Sequence, residues 1–236
     1  MSLLELSNVC KRSVHGGRVV LQDASLSIDA GELVAVWGLR GSGRTTLLRL
    51  AAGIDAPDSG TVRFDGRDLA EHGEKILGRE LGYCQKSFRT AGGRWAIEEV
   101  VLGLLVNGTA PAQARARARE ALERAGGESL ATRRLSELDS AERTRLAVAH
   151  ALALEPRLLI IDEPVAGVDL HERDGVLLLL RSLADEGIAV LMTVGDLTGL
   201  AGADQSLTIG DGELCGSRKR ELAQVADLSL RRQASA

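Results

Sequence analysis

Apolar runs alternate with turn signals from the start of the chain. Runs at residues 3–9, 19–28 and 33–37 are separated by glycine-containing turns, and each predicts a β-strand. An Ala/Leu-rich segment at 45–52 has helical character, and residues 61–64 predict one more short strand. The first quarter of the chain is therefore expected to be mostly sheet, with one helix.

The second half has longer helical segments. Thr109 as a cap and Pro111 in the first turn predict a helix start, and a further helix is expected to begin near Leu138. The last third predicts strand 158–161, helix 170–184, strand 189–193, another helix, and short strands near residues 207 and 214. Such strand–helix alternation implies an α/β fold, in which helices cover both faces of a parallel sheet.

Composition narrows the class of protein. The chain has 236 residues, of which 44% are hydrophobic and 26% charged, as in folded proteins. A net charge of −4 and an aromatic content of 2% argue against nucleic acid as a partner. The sequence shows no signal peptide and no run of the ~18 apolar residues that span a membrane. We expect a cytoplasmic protein whose Cys10, Cys84 and Cys215 are reduced, partly buried thiols.

A glycine-rich turn joins the third strand to the first helix. The turn and the helix start consist of Gly38, Leu39, Arg40, Gly41, Ser42, Gly43, Arg44, Thr45 and Thr46. This is the phosphate-loop pattern, because glycines let backbone N–H groups converge on an anion and the helix N-terminus adds its dipole. Thr45 is placed to ligate Mg²⁺, whereas Arg44 stands where the motif has lysine and spreads the charge over a planar fork. The alternative is a plain turn that caps a helix.

Two carboxylates follow the apolar strand at 158–161. They are Asp162 and Glu163, at the carboxyl end of a strand, where ligands of open parallel sheets bind. Asp162 would hold Mg²⁺ directly or through water, and Glu163 would polarise an attacking water. Glu163 and Arg44 are the two candidate catalytic residues.

With both motifs the chain resembles the nucleotide-binding subunit of ABC transporters. Segments 52–60, 136–152 and 166–169 carry the resemblance, which covers nearly the whole chain. The sequence of these segments is most similar to the branch that serves lipoprotein-release, macrolide-export and cell-division permeases. The resemblance implies a P-loop NTPase core with a parallel sheet, an antiparallel β lobe and an inserted helical lobe.

The resemblance also implies a domain organisation and partners. One ATPase domain would consist of a core with β lobe at 1–86 and 151–225, a helical lobe at about 87–150, and a tail at 226–236. Two such chains would dimerise head to tail, with each ATP and its Mg²⁺ between one phosphate loop and the partner's signature segment. Membrane permease subunits would dock on the helical lobe and hold the chain at the inner face of the membrane.

Within this scheme several further residues would contact nucleotide. Asp139 and Ser140 belong to the signature, Asp169 to the loop that crosses the dimer, and Gln85 to the metal- and water-sensing segment.

The chain departs from the family pattern at these functional positions. Asp139 replaces the signature serine, Ser140 and Ala141 replace its glycines, and Gly195 replaces the switch histidine. Asp139 would also serve as a helix N-cap. In an ungapped alignment Lys86 takes the sensing glutamine position and Gln85 lies one place early, whereas a one-residue slip would place Gln85 there. The position at which the family has an aromatic residue that stacks on adenine falls near Val14 or His15.

Three functions fit these residues. A working ATP-driven transport motor is favoured by the glycines, Thr45, Asp162, Glu163 and Asp169. An ATP-binding subunit that dimerises, couples to a permease and hydrolyses slowly is favoured by Arg44, Lys86, Asp139 and Gly195. We prefer the second, because each substitution affects the positioning or charge stabilisation of phosphoryl transfer. A soluble ABC protein of translation or DNA repair fits less well, because the second cassette or long coiled coils of such proteins are absent from the sequence.

Overall fold

The structure is a computed structural model that describes residues 2–13, 17–85, 93–200 and 202–218. Its strands are β1 (Leu4–Arg12), β2 (Val19–Ile28), β3 (Leu33–Gly38), β4 (Ser59–Phe64), β5 (Arg67–Asp68), β6 (Leu81–Cys84), β7 (Leu158–Ile161), β8 (Ala189–Val194), β9 (Gln205–Gly210) and β10 (Glu213–Arg218). Its α-helices are α1 (Arg44–Ala51), α2 (Leu69–Ile76), α3 (Ala96–Val106), α4 (Pro111–Arg124), α5 (Ser140–Leu152) and α6 (Leu170–Asp185).

The strands form two sheets. The larger has the order β10-β9-β3-β8-β7-β6 and is parallel from β9 to β6, with β10 antiparallel at its edge. The smaller is the antiparallel sheet β2-β1-β4-β5. With the helices α3–α5 between β6 and β7, this confirms the predicted α/β fold: a parallel-sheet core, an antiparallel β lobe and an inserted helical lobe.

The parallel sheet lies between two apolar cores. Along β3 the side chains alternate: Val34 and Val36 belong to the core that contains helix α1 and the β lobe. Leu33 and Ala35 belong to the other core, which contains the helical lobe and α6. A strand buried on both faces must be apolar throughout, which explains why residues 33–37 read as one continuous apolar run.

Some local predictions are wrong. Thr109 does not cap α4: the N-cap is Ala110, and the Thr109 N–H instead donates to the carbonyl of Leu104 in the turn that ends α3. The helix expected after β8 is a single 3₁₀ turn, Leu197–Leu200. Of the three thiols, Cys10 is partly buried as predicted, whereas Cys84 is buried and Cys215 is exposed.

Among the described residues, no helix combines the length and the apolar character that a bilayer crossing requires.

Candidate nucleotide site

The phosphate loop connects β3 to α1 through glycines that no other residue could replace without strain. Gly41 and Gly43 have φ values of 83° and 107°, in the left-handed region that favours glycine. A Cβ on Gly43 would lie 2.9 Å from the carbonyl oxygen of Val20, and one on Gly38 would lie 2.5 Å from Ser42 Oγ. At these glycine positions the loop therefore presents backbone groups rather than side chains.

The loop suits a polyanionic ligand. Helix α1 begins at Arg44 with no acidic residue in its first turn, and the first N–H groups of a helix lack intrahelical partners. Ser42 Oγ is buried and has no hydrogen-bond partner within the described part of the chain. On the rim, Leu39 and Arg40 are exposed, with Leu39 at 72%. A chain of phosphates would satisfy the orphaned donors, so the residues present fit a nucleotide.

Thr45 and Asp162, the two predicted metal ligands, are in direct contact. The Thr45 hydroxyl donates to Asp162 Oδ2 at 2.8 Å. The fold explains this contact. Thr45 lies in the first turn of α1, which follows β3, and Asp162 directly follows β7, a strand of the same parallel sheet as β3. Hydroxyl and carboxylate oxygens are the ligands that Mg²⁺ prefers, so the pair fits this ion.

Arg44 contacts the ends of two strands. Its Nη2 atom lies 2.6 Å from Glu163 Oε1, and its Nη1 donates to the carbonyl oxygen of Val194. The Arg44 and Glu163 side chains are only 10% and 13% exposed. The two predicted catalytic residues are therefore paired with each other across the site.

A hydroxyl of β8 contacts both residues that follow β7. Because Ile161 pairs with Met192 in the parallel register, the next residues along the two strands, Asp162 and Thr193, lie side by side. Thr193 Oγ1 donates to Asp162 Oδ1 at 2.7 Å and accepts from the Glu163 backbone N–H at 3.0 Å. Thr193 and Asp162 are the buried polar residues among those described.

A cavity of about 240 Å³ adjoins these carboxylates. Gln85 and Ser140 line it together with Asp162 and Glu163, so these four predicted site residues share one cavity within a single chain. Asp139 is the N-cap of α5: its Oδ1 accepts from the Glu142 N–H at 2.8 Å, and Glu142 Oε2 accepts from the Asp139 N–H at 3.1 Å. The N-cap interpretation of Asp139 is therefore confirmed.

The remaining predicted residues within the described part of the chain are not among those that line this cavity. Asp169 is the exposed N-cap residue of α6 and makes no side-chain cap hydrogen bond. A Cβ on Gly195 would meet no atom within 4 Å in the part of the chain that the structure describes. Lys86, Val14 and His15 lie outside the described residues.

The segment after Gly195 is held by charge. Asp196 accepts hydrogen bonds from the Thr198 hydroxyl and the Gly199 N–H, and forms a 2.6 Å salt bridge with Arg173 of α6. The Thr198 hydrogen bond first, and then Arg173, lower the pKa of Asp196 to about 2. The turn that follows β8 is therefore tied to α6.

Sequence reasoning missed two contacts of this site. Thr193 is an ordinary strand residue by its local pattern, and its contact with Asp162 depends on the register of β7 and β8. The contact of Arg44 with the Val194 carbonyl involves a backbone atom, which no side-chain pattern in the sequence indicates. The alternation of strands and helices signals that two strand ends meet, but it does not give their register.

Comparisons with known proteins agree with this geometry. The family model "ABC transporter" matches residues 21–166. The chain is 38% identical over 200 residues to the lipoprotein-releasing system ATP-binding protein LolD of Chromohalobacter salexigens, which covers 83% of this chain and 84% of that protein.

Solved structures of ATP-binding cassettes have a similar fold. The dimeric ATP-binding cassette MJ0796, solved in a post-hydrolysis state with ADP and Pi, is 26% identical with a TM-score of 0.82, over 91% of this chain and 98% of that one. The cbiO1 protein of Clostridium perfringens, part of an ABC transporter complex, shares the fold at 24% identity and a TM-score of 0.82, over 98% and 96% of the chains. This chain accordingly belongs to the ABC transporter family, as an ATP-binding cassette with the P-loop fold.

Proposed function

We propose that this chain is the Mg-ATP-binding subunit of a lipoprotein-release-type ABC transporter and that it hydrolyses ATP slowly. It would work as a dimer with membrane permease subunits. The observation that carries the slow hydrolysis is the 2.6 Å salt bridge between Arg44 and Glu163. The resemblance to LolD supports the transporter type.

Binding of the nucleotide would rest on the loop backbone and α1. The N–H groups at the start of the helix and Ser42 Oγ would donate to phosphate oxygens, while Thr45 and Asp162 would hold Mg²⁺. When bound, Mg²⁺ supplies neutralisation of the charge that develops on the phosphates.

Hydrolysis would be slow because the cation and the candidate base neutralise each other. Glu163 would orient and deprotonate water, but its Oε1 is paired with Arg44. The Arg44 guanidinium is also bound to the Val194 carbonyl, so it is directed to the strand ends. Gly195 offers no imidazole to order the reacting groups. Each of these features removes a preorganised contact of the kind on which phosphoryl transfer depends.

Assembly would follow the family arrangement. In a head-to-tail dimer the exposed Asp139, Ser140 and Asp169 would face the nucleotide of the other chain. A helical lobe at about residues 87–150 would dock on the permease, and the chain would lie at the cytoplasmic face of the membrane. The partner chain would be a second copy or a related cassette.

Isothermal titration with Mg-ATP tests the binding half of the proposal. Gly43→Asp should abolish binding, because it places a carboxylate in the anion site. Gly187→Asp controls for the added charge and the positive φ: Gly187 has a φ of 101°, and a Cβ there would meet no atom of the described residues within 4 Å. Absence of heat and of a thermal shift with the unaltered protein at millimolar ATP would contradict the proposal.

Steady-state phosphate release tests the slow hydrolysis. Loss of one preorganised charge-stabilising contact typically costs about 10²–10³ in rate, and we expect a deficit of that size against the LolD protein of Chromohalobacter salexigens. A turnover of several per second that Glu163→Gln abolishes would instead establish the active motor. The intact Thr45–Asp162 pair is the observation that favours that alternative.

A further inference from the structure

We infer that Thr193 is a positioning residue that orients Asp162 for the metal ion and fixes the backbone at Glu163. The inference rests on the proposed Mg-ATP site and adds to it a side chain from β8. Thr193 is fully buried, at 0% exposure, and is not part of the phosphate loop or of the carboxylate pair.

The geometry of Asp162 carries the first step. Its carboxylate has two oxygens with different tasks: Oδ1 accepts from Thr193 at 2.7 Å, and Oδ2 accepts from Thr45 at 2.8 Å. Because both oxygens are held, the carboxylate cannot rotate freely about its terminal bond. The hydroxyl of Thr193 thereby presents Oδ2 toward α1, where the metal ligand Thr45 lies.

The backbone of Glu163 carries the second step. Glu163 has a φ of 49°, in the left-handed region that a non-glycine residue adopts at an energetic cost. Its N–H donates to Thr193 Oγ1 at 3.0 Å, so the hydroxyl holds the residue in this conformation. A single hydroxyl thus accepts from the residue that carries the candidate base and donates to the metal carboxylate.

The chemistry of this position calls for a hydroxyl. A residue there must donate to a carboxylate and accept from an N–H at the same time, which serine and threonine do and valine does not. Partners that orient a metal ligand typically change metal affinity by about 10–100-fold when they are removed. The effect of losing Thr193 should therefore appear in the Mg²⁺ dependence of ATP binding, separately from ATP binding itself.

The experiment compares Thr193→Val, of similar shape, with Thr193→Ser, which keeps the hydroxyl. ATP binding is titrated in EDTA and then over a range of Mg²⁺ concentrations, with thermal melting to monitor folding. We expect Thr193→Val to raise the Mg²⁺ concentration for half-maximal effect at least tenfold, with ATP affinity in EDTA changed less than about twofold. Thr193→Ser should restore the original dependence.

Thr208→Val is the matched control. Thr208 lies on β9, and its hydroxyl donates to the Cys215 carbonyl at 3.1 Å, outside the site. We expect it to leave the Mg²⁺ dependence unchanged.

With a folded Thr193→Val variant, two results would overturn the inference while the proposed function stands. One is a Thr193→Val variant with the original Mg²⁺ dependence, and the other is an equal loss of ATP binding with and without Mg²⁺, which marks a purely structural role. If Thr193→Val does not fold, a Thr193→Ser variant that folds but has the raised Mg²⁺ requirement overturns it as well. Failure of the unaltered protein to bind ATP would overturn the proposed function and the inference together.

Discussion

Arg44 of the phosphate loop and Glu163 after β7 form a salt bridge, with Nη2 and Oε1 2.6 Å apart. Both side chains are nearly buried, so solvent screens the pair much less than it would a surface pair. A lysine in this position presents a compact ammonium, whereas the planar fork of Arg44 binds Glu163 and the Val194 carbonyl at once. The replacement of lysine by arginine therefore ties the loop to the candidate base.

Gly195→His should raise ATP turnover, by about tenfold or more. Gly195 has no positive φ, and a Cβ there would meet no atom of the described residues within 4 Å, so the backbone accepts a side chain without strain. An imidazole next to the end of β8 would supply an ordering contact that Gly195 cannot make. Phosphate release is the measurement, and Gly195→Ala is the control that fills the space without the imidazole. Equal turnover in the two variants would contradict the prediction.

Asp139→Ser should strengthen ATP-dependent dimerisation. A carboxylate about 4 Å from one phosphate charge costs roughly 4 kcal/mol at an effective dielectric near 20, and serine removes that charge. Serine is also a good N-cap, so it retains the hydrogen bond that Asp139 accepts from Glu142 N–H. Sedimentation in ATP, in a Glu163→Gln background, measures the effect.

Asp139→Ala separates charge from capping. It also removes the charge but loses the cap, which lowers the free energy of unfolding by about 1 kcal/mol. If dimerisation rises in both variants while only Asp139→Ala melts earlier, the charge is responsible. An unchanged monomer–dimer balance in Asp139→Ser would leave Asp139 as a helix cap alone.

His150 should make folding stability sensitive to mild acid. The His150 ring in α5 lies against Gly103 of α3, and burial lowers its pKa from the usual 6.5, against an opposing effect of Glu99. As pH falls below about 6.5, the unfolded chain takes up a proton that the folded chain resists. This contribution to the free energy of unfolding is therefore present above that pH and lost below it, by at most about 1.4 kcal/mol per pH unit.

Denaturant unfolding between pH 7.5 and 5 checks this. His150→Gln does not titrate, so its stability should depend less steeply on pH than that of the original protein. His171→Gln, at an exposed position of α6, is the control and should keep the original dependence. A slope that is the same in all three proteins would contradict the assignment.

Much of the fold could be predicted from local patterns. The bounds of β2 and β7 agree with the sequence prediction, because both are apolar runs between clear turn signals. Helix α3 and strand β6 were not predicted, since α3 is rich in β-branched residues and β6 has only four residues, including Gly82.

The site could be predicted in part. The motif spacing brought Thr45 and Asp162 together as metal ligands, and the structure joins them by a hydrogen bond. The Arg44–Glu163 pair could not be foreseen, because the direction of a long side chain depends on which strand ends lie beside it. The same holds for Thr193, whose contact requires the register of β7 on β8.

The turnover of Arg44→Lys shows whether the pairing of Arg44 with Glu163 slows hydrolysis. Arg49→Lys is the matched control, because Arg49 lies on the same helix but pairs with Asp55, at 2.6 Å. We predict that Arg44→Lys raises phosphate release about tenfold or more, that Arg49→Lys leaves it unchanged, and that adding Glu163→Gln removes the gain. Turnover of Arg44→Lys equal to or below that of the original protein, with Mg-ATP binding retained, would show that the salt bridge does not slow hydrolysis.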